Sequence, residues 1–84
     1  MSKTEYIDLY EVTQLQFQIM NCIEGWVKNE KTPIPRKIII ETMKEKGNKE
    51  PTIVGALNSL LAKGYIRRAV TSSNKTYYVQ LRRV

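Results

Sequence analysis

The sequence contains no histidine and only one cysteine, Cys22, in 84 residues. Without imidazole, the usual near-neutral acid/base group and the commonest metal ligand are both missing. One thiol can supply neither an internal disulfide nor a zinc site. Small secreted domains usually depend on several disulfides, so this cysteine usage predicts a reducing, cytoplasmic compartment. Four glycines and three prolines are too few for a low-complexity or collagen-like chain. No apolar run approaches the roughly 20 residues of a membrane span. The opening Met1-Ser2-Lys3-Thr4-Glu5-Tyr6 lacks the apolar stretch and cleavage site of a secretory signal. Nucleophile and base pairs and glycine-rich phosphate loops are missing too. No enzymatic activity, cofactor, metal, membrane or small-molecule substrate is therefore expected.

Acidic residues run out at Glu50. Beyond it stand Lys63, Arg67, Arg68, Lys75, Arg82 and Arg83 with no carboxylate side chain among them. The whole chain carries 14 Lys and Arg against 8 Asp and Glu, a net charge of +6. In residues 1 to 30, Lys3 and Lys28 face Glu5, Asp8, Glu11, Glu24 and Glu30, a balance of −3, which leaves +9 for residues 31 to 84. A positive C-terminal half is the electrostatic signature of a polyanion partner. With 42% apolar and 26% charged residues, the chain supports one compact domain, residues 13 to 84, preceded by a segment of residues 1 to 12.

Thr13-Gln14-Leu15-Gln16 has the form of a capping box, with Val12 and Phe17 placed as a hydrophobic staple. Ile19, Met20, Cys22, Ile23, Trp26 and Val27 follow at spacings of three and four, which predicts a helix to about Asn29 with one apolar side. Pro33 and Pro35 interrupt it, and Pro35 suits the first position of a second helix whose inner face holds Ile38, Ile39, Thr42 and Met43. Gly47-Asn48 ends that helix, as both residues tolerate the left-handed conformation. A third helix opens at Pro51, with Glu50 or Asn48 as cap, carries the stripe Ile53, Leu57, Leu60 and Leu61, and stops at Gly64. Two short helices joined by a tight turn are the sequence form of a helix-turn-helix.

After Gly64 the period changes. Residues 65 to 70 and 76 to 81 are rich in β-branched and aromatic residues around a polar turn, which predicts a hairpin. Alternation places Tyr77, Val79 and Leu81 inward with Ile66 and Val70, and leaves Arg67, Tyr78 and Gln80 outside. The predicted fold is α+β, mainly α: three helices and a C-terminal β-hairpin.

The stretch from Val12 to Leu81 resembles a winged helix-turn-helix, and more narrowly the N-terminal DNA-binding domain of LexA-type repressors. The resemblance rests on Val12-Thr13 at the start of helix one and Thr32-Pro33-Ile34-Pro35 before helix two. It continues in Leu57-Asn58-Ser59-Leu60-Leu61-Ala62-Lys63-Gly64-Tyr65-Ile66 leading into the hairpin. Around Lys46-Gly47-Asn48-Lys49 this chain is about three residues longer than that family, as sequence spacing reads it. The self-cleaving C-terminal domain of full-length members has no counterpart in this sequence, and no cleavage is expected of it. The resemblance implies a hairpin that serves as a wing and a third helix that enters the major groove.

On that reading the groove-facing set is Thr52, Val54, Gly55, Asn58 and Ser59, the residues left when the apolar stripe is removed from Pro51 to Lys63. Asn58 can pair with adenine, Thr52 and Ser59 with either base type, and Val54 can touch a thymine methyl. No arginine stands among them, which predicts A/T-leaning or shape-based readout. Phosphate contacts fall to Arg36 and Lys37 at helix two, to Lys49, and to Arg67, Arg68 and Lys75 in the wing. The expected partner is double-stranded DNA and the expected role a small transcriptional regulator, a repressor by occupancy. The apolar and acidic residues 4 to 12 are expected to hold a homodimer. The alternative is a protein-binding winged helix, such as an antirepressor or polymerase-associated factor, docking through Val54, Gly55 and Ala56.

Overall fold

The computed structural model describes residues 12–81. The N-terminal segment expected to hold a dimer lies outside these residues, except for Val12, which is buried in the core. The described residues form three helices and a three-stranded antiparallel sheet, an α+β arrangement that is mainly helical. The order is α1 (Gln14–Glu30), β1 (Ile34–Pro35), α2 (Arg36–Glu45), α3 (Glu50–Ala62), β2 (Ile66–Val70) and β3 (Thr76–Gln80). Among the described residues no helix is long and apolar enough to cross a membrane.

The capping box forms as its residues dictate. Thr13 Oγ1 accepts the Gln16 N–H at 3.2 Å, and Gln16 Oε1 accepts the Thr13 N–H at 3.2 Å. Phe17 remains 42% exposed, so the staple expected with Val12 is only partly buried. Ile19, Met20 and Ile23 carry the buried face of α1, and Leu15, Cys22, Trp26 and Val27 pack at its margin. α2 contributes Ile39 and Met43, and α3 contributes Ile53, Ala56, Leu57 and Leu60. Removing one of these side chains, as in Leu57→Ala, costs about 2–5 kcal/mol through lost burial and the cavity left behind.

Both inner helices end in the same way. Gly47 donates its N–H to Lys44 O at 2.9 Å and Asn48 to Met43 O at 3.2 Å, while Gly64 donates to Leu61 O at 3.1 Å and Tyr65 to Leu60 O at 3.0 Å. These paired bonds form a Schellman motif, which needs a left-handed residue at its centre. Gly47 at φ +95° and Gly64 at φ +78° provide it. Asn48 therefore caps the end of α2 and does not cap the start of α3. The N-cap of α3 is Lys49, without a side-chain bond, and Glu50 occupies the first helical turn ahead of Pro51.

The sheet differs from the expected hairpin in two respects. β1 adds a third strand, with the order β1-β3-β2 and Ile34 opposite Tyr78. The inward face of β3 is also the reverse of that expected. Tyr78 is 3% exposed and buried with Ile34 and Ile66, whereas Val70 and Leu81 are 58% and 56% exposed. The turn explains the reversal on β3, while Val70, on the face of Ile66, is exposed at the end of β2 next to the turn. Val70 pairs with Thr76, so Ile66 pairs with Gln80 and Arg68 with Tyr78, and even-numbered residues share one face. The turn holds that register with Asn74 at φ +64°, its N–H bonded to Thr71 O at 2.9 Å, and Thr71 N–H bonded to Lys75 O at 2.9 Å. This is a three-residue loop with a left-handed residue before the second strand.

Candidate nucleic-acid interface

α3 turns Ile53, Leu57 and Leu60 inward, with Leu61 half-buried beside them, which fixes what it shows to solvent. Thr52, Gly55 and Asn58 are exposed, and Val54 and Ser59 are half-buried at the edges of the same face. Ala56 is 8% exposed and belongs to the core. Of the alternative docking patch, Ala56 is therefore buried, while Val54 is half-buried and Gly55 exposed. Gly55 lies mid-helix with nothing within 4 Å of where a Cβ would stand, so internal packing does not require glycine there.

A groove of about 680 Å³ runs between α2 and the hairpin tip and reaches α3 at its first residue, Glu50. Arg36, Lys37 and Lys44 line it from α2, and Lys75 and Tyr77 line it from the hairpin. Three of the expected phosphate-binding residues, Arg36, Lys37 and Lys75, are thus brought to one place from sequence positions 36 to 75. Lys44 was not among them. Its signal was present, because residues 36, 37, 40, 41 and 44 fall on one side of a helix by the three-and-four rule.

The groove is not purely cationic. Glu41 lies 3.9 Å from Lys37, and Glu50 lies 3.3 Å from Lys44. These are exposed pairs of small energetic weight, and they partly neutralise their lysines. Among the described residues Arg36 has no carboxylate within ion-pair distance, and its Nε is shielded from solvent without a hydrogen bond. Among the described residues, Lys49, Arg67, Arg68 and Lys75 also have no carboxylate within ion-pair distance, and all four are exposed.

Arg67 and Arg68 do not act as one patch. Successive strand residues point to opposite faces. Arg67 stands opposite Val79, on the face of Ala69 and Tyr77, whereas Arg68 stands opposite Tyr78, on the helix side of the sheet. The two arginines expected to contact phosphate from the wing thus lie on opposite faces of the sheet, with Arg67 on the face of the groove residue Tyr77.

Comparison with family models, curated proteins and solved structures found no match.

Among the described residues, no group of three or more cysteine, aspartate or glutamate side chains is placed to hold a metal ion. Cys22 sits half-buried on α1. Burial pushes its thiol pKa up, against a smaller opposing pull from the Thr42 hydroxyl and the Lys46 ammonium. A thiol held in its neutral form is a poor nucleophile.

Proposed function

We propose that this chain is a winged helix-turn-helix protein that binds double-stranded DNA and regulates transcription by occupancy, with no enzymatic step. The order helix, strand, helix, helix, strand, strand supports the winged-helix reading, with α2 and α3 as the helical pair and β2-β3 as the wing. The observation that carries the functional reading is the groove between α2 and the hairpin tip, where Arg36, Lys37, Lys44 and Lys75 converge. A phosphate strand seated there pairs with these cations. It also brings the exposed face of α3 toward base edges, with Thr52, Asn58 and Ser59 able to hydrogen-bond and Gly55 permitting close approach.

One such module buries only about 600–1,000 Å² of surface on DNA, so tight, specific repression calls for a homodimer on half-sites about 34 Å apart. In this reading the protein acts in the cytoplasm. Amide chemical-shift mapping against a duplex of about 20 base pairs tests the placement. Shifts should concentrate at Arg36, Lys37, Thr52, Gly55, Asn58 and Lys75. Shifts confined to α1, or none at low salt, would refute it.

A further inference from the structure

Tyr77 stands at the centre of a row that crosses the sheet. Its partners in register are Pro35 on β1 and Ala69 on β2. Opposed residues in an antiparallel pair share one face, so these three side chains lie together. The adjacent row, Ile34, Tyr78 and Arg68, takes the other face, where Ile34 and Tyr78 are buried in the core. Pro35 and Tyr77 are half-buried on the face away from it, and both line the groove between α2 and the hairpin tip. Ile40 of α2 joins them there.

The groove therefore combines two chemistries. Pro35, Ile40 and Tyr77 give it an apolar side with an aromatic ring, and Arg36, Lys37 and Lys75 give it positive charge. Arg36 and Lys37 occupy the first turn of α2, whose dipole adds to their charge. Lys44 is held by Glu50 at 3.3 Å, whereas Lys37 lies a looser 3.9 Å from Glu41 with its side chain 83% exposed. A duplex backbone uses the cations but keeps its bases stacked and paired away from the ring. An unpaired nucleotide uses both, because any base offers the ring a π-face while its phosphate meets the cations. At about 680 Å³ the groove also has the size of small-ligand sites, about 300–1,000 Å³.

We propose that this groove binds one unpaired nucleotide, with its base against Tyr77 and Pro35 and its phosphate on Arg36, Lys37 and Lys75. A free nucleoside monophosphate and an unpaired residue at the end of a nucleic-acid strand offer the same chemistry. Binding of the nucleotide does not require duplex recognition. Its consequence, competition with a duplex phosphate strand for the same cations, rests on the function proposed above.

NMR titration of the full chain at low salt with adenosine monophosphate, adenosine and inorganic phosphate tests this. The monophosphate should bind about tenfold or more tightly than either fragment, with its base protons shifted upfield by the Tyr77 ring and amide shifts at Arg36, Lys37 and Lys75. Tyr77→Leu should reduce its affinity to that of phosphate, Tyr77→Phe should retain it, and Lys75→Ala should weaken the monophosphate and phosphate alike. The Ala69 amide, bonded to β3, should stay protected from hydrogen exchange in each variant and reports that the sheet is intact. Comparing a blunt duplex with one carrying a short unpaired 3′ end separates the sources. A preference for the unpaired end that Tyr77→Leu abolishes assigns the site to a strand end, and equal binding of the two duplexes assigns it to the free nucleotide. Monophosphate bound no more tightly than phosphate, or bound equally by Tyr77→Leu, would overturn the proposal. Duplex binding without monophosphate binding removes this site and leaves DNA recognition standing, and monophosphate binding without duplex binding does the reverse.

Discussion

Asn48 binds the carbonyl oxygen of Met43 twice, through its backbone N–H at 3.2 Å and its side-chain Nδ2 at 3.0 Å. This double contact closes α2 and fixes where α3 begins. Asn48→Ala keeps one donor and loses the other, which should cost about 1 kcal/mol. Asn48→Asp should cost more, because a carboxylate cannot donate and places negative charge at the C-terminal end of a helix dipole. Urea unfolding checks the order. An aspartate variant as stable as the parent would mean that the side-chain bond carries no weight.

Two glycine substitutions should have opposite signs. Gly64 holds φ +78° at the end of α3, so Gly64→Ala should lower stability by about 1–2 kcal/mol. Gly55 is helical and has open space where a Cβ would stand, so Gly55→Ala should raise stability by about 0.5–1 kcal/mol. Thermal unfolding midpoints moving in opposite directions are the expected result. In the DNA reading, a larger side chain in Gly55→Leu should weaken duplex binding while the protein stays folded.

How far these features could be read in advance depended on whether their cause was local. The capping box at Thr13 and Gln16, the stops at Gly47 and Gly64, and the stripe Ile53, Leu57 and Leu60 all lie within one or two helical turns, and sequence spacing reveals them. β1 could not be read that way. Two residues have no period, and Ile34 becomes a strand only by pairing with Tyr78, 44 positions later. The face of β3 was lost for a related reason. Tyr77 and Tyr78 suit either side of a sheet, and the parity is decided by Asn74 in the left-handed region of the turn. At the interface, charge and helix face pointed to Arg36, Lys37 and Lys75, but their meeting with Lys44 in one groove is a tertiary fact.

That turn gives a third prediction. Asn74 at φ +64° occupies a position where glycine has no steric penalty. Asn74→Gly should preserve the register and stabilise the hairpin by up to about 1 kcal/mol. Asn74→Val should destabilise it by more, because a β-branched residue fits that conformation poorly. Hydrogen exchange at the Ala69 amide reads both effects.

The Cys22 thiol yields a pH dependence with a definite sign. Burial raises its pKa above the ordinary value of 9.0, so the folded state favours the neutral thiol. The stability this contributes is complete below the unfolded pKa and is lost as pH rises from about 9 through the folded pKa. Cys22→Ala should therefore show a shallower loss of stability above pH 9 than the parent. Thiol modification at neutral pH should be slow until the protein unfolds. Parallel stability curves for the two proteins above pH 9 would contradict the burial effect.

The salt dependence of duplex binding, followed by fluorescence anisotropy, bears most directly on the proposed function. Phosphate contacts by Arg36, Lys37, Lys75 and their neighbours should give a plot of log affinity against log salt with a slope of about −3 to −5 per protomer. Lys37→Ala and Lys75→Ala should each reduce that slope by about 1, with affinity falling on all sequences alike. A slope near zero, or no binding to any duplex at about 50 mM salt, would contradict DNA recognition by this surface.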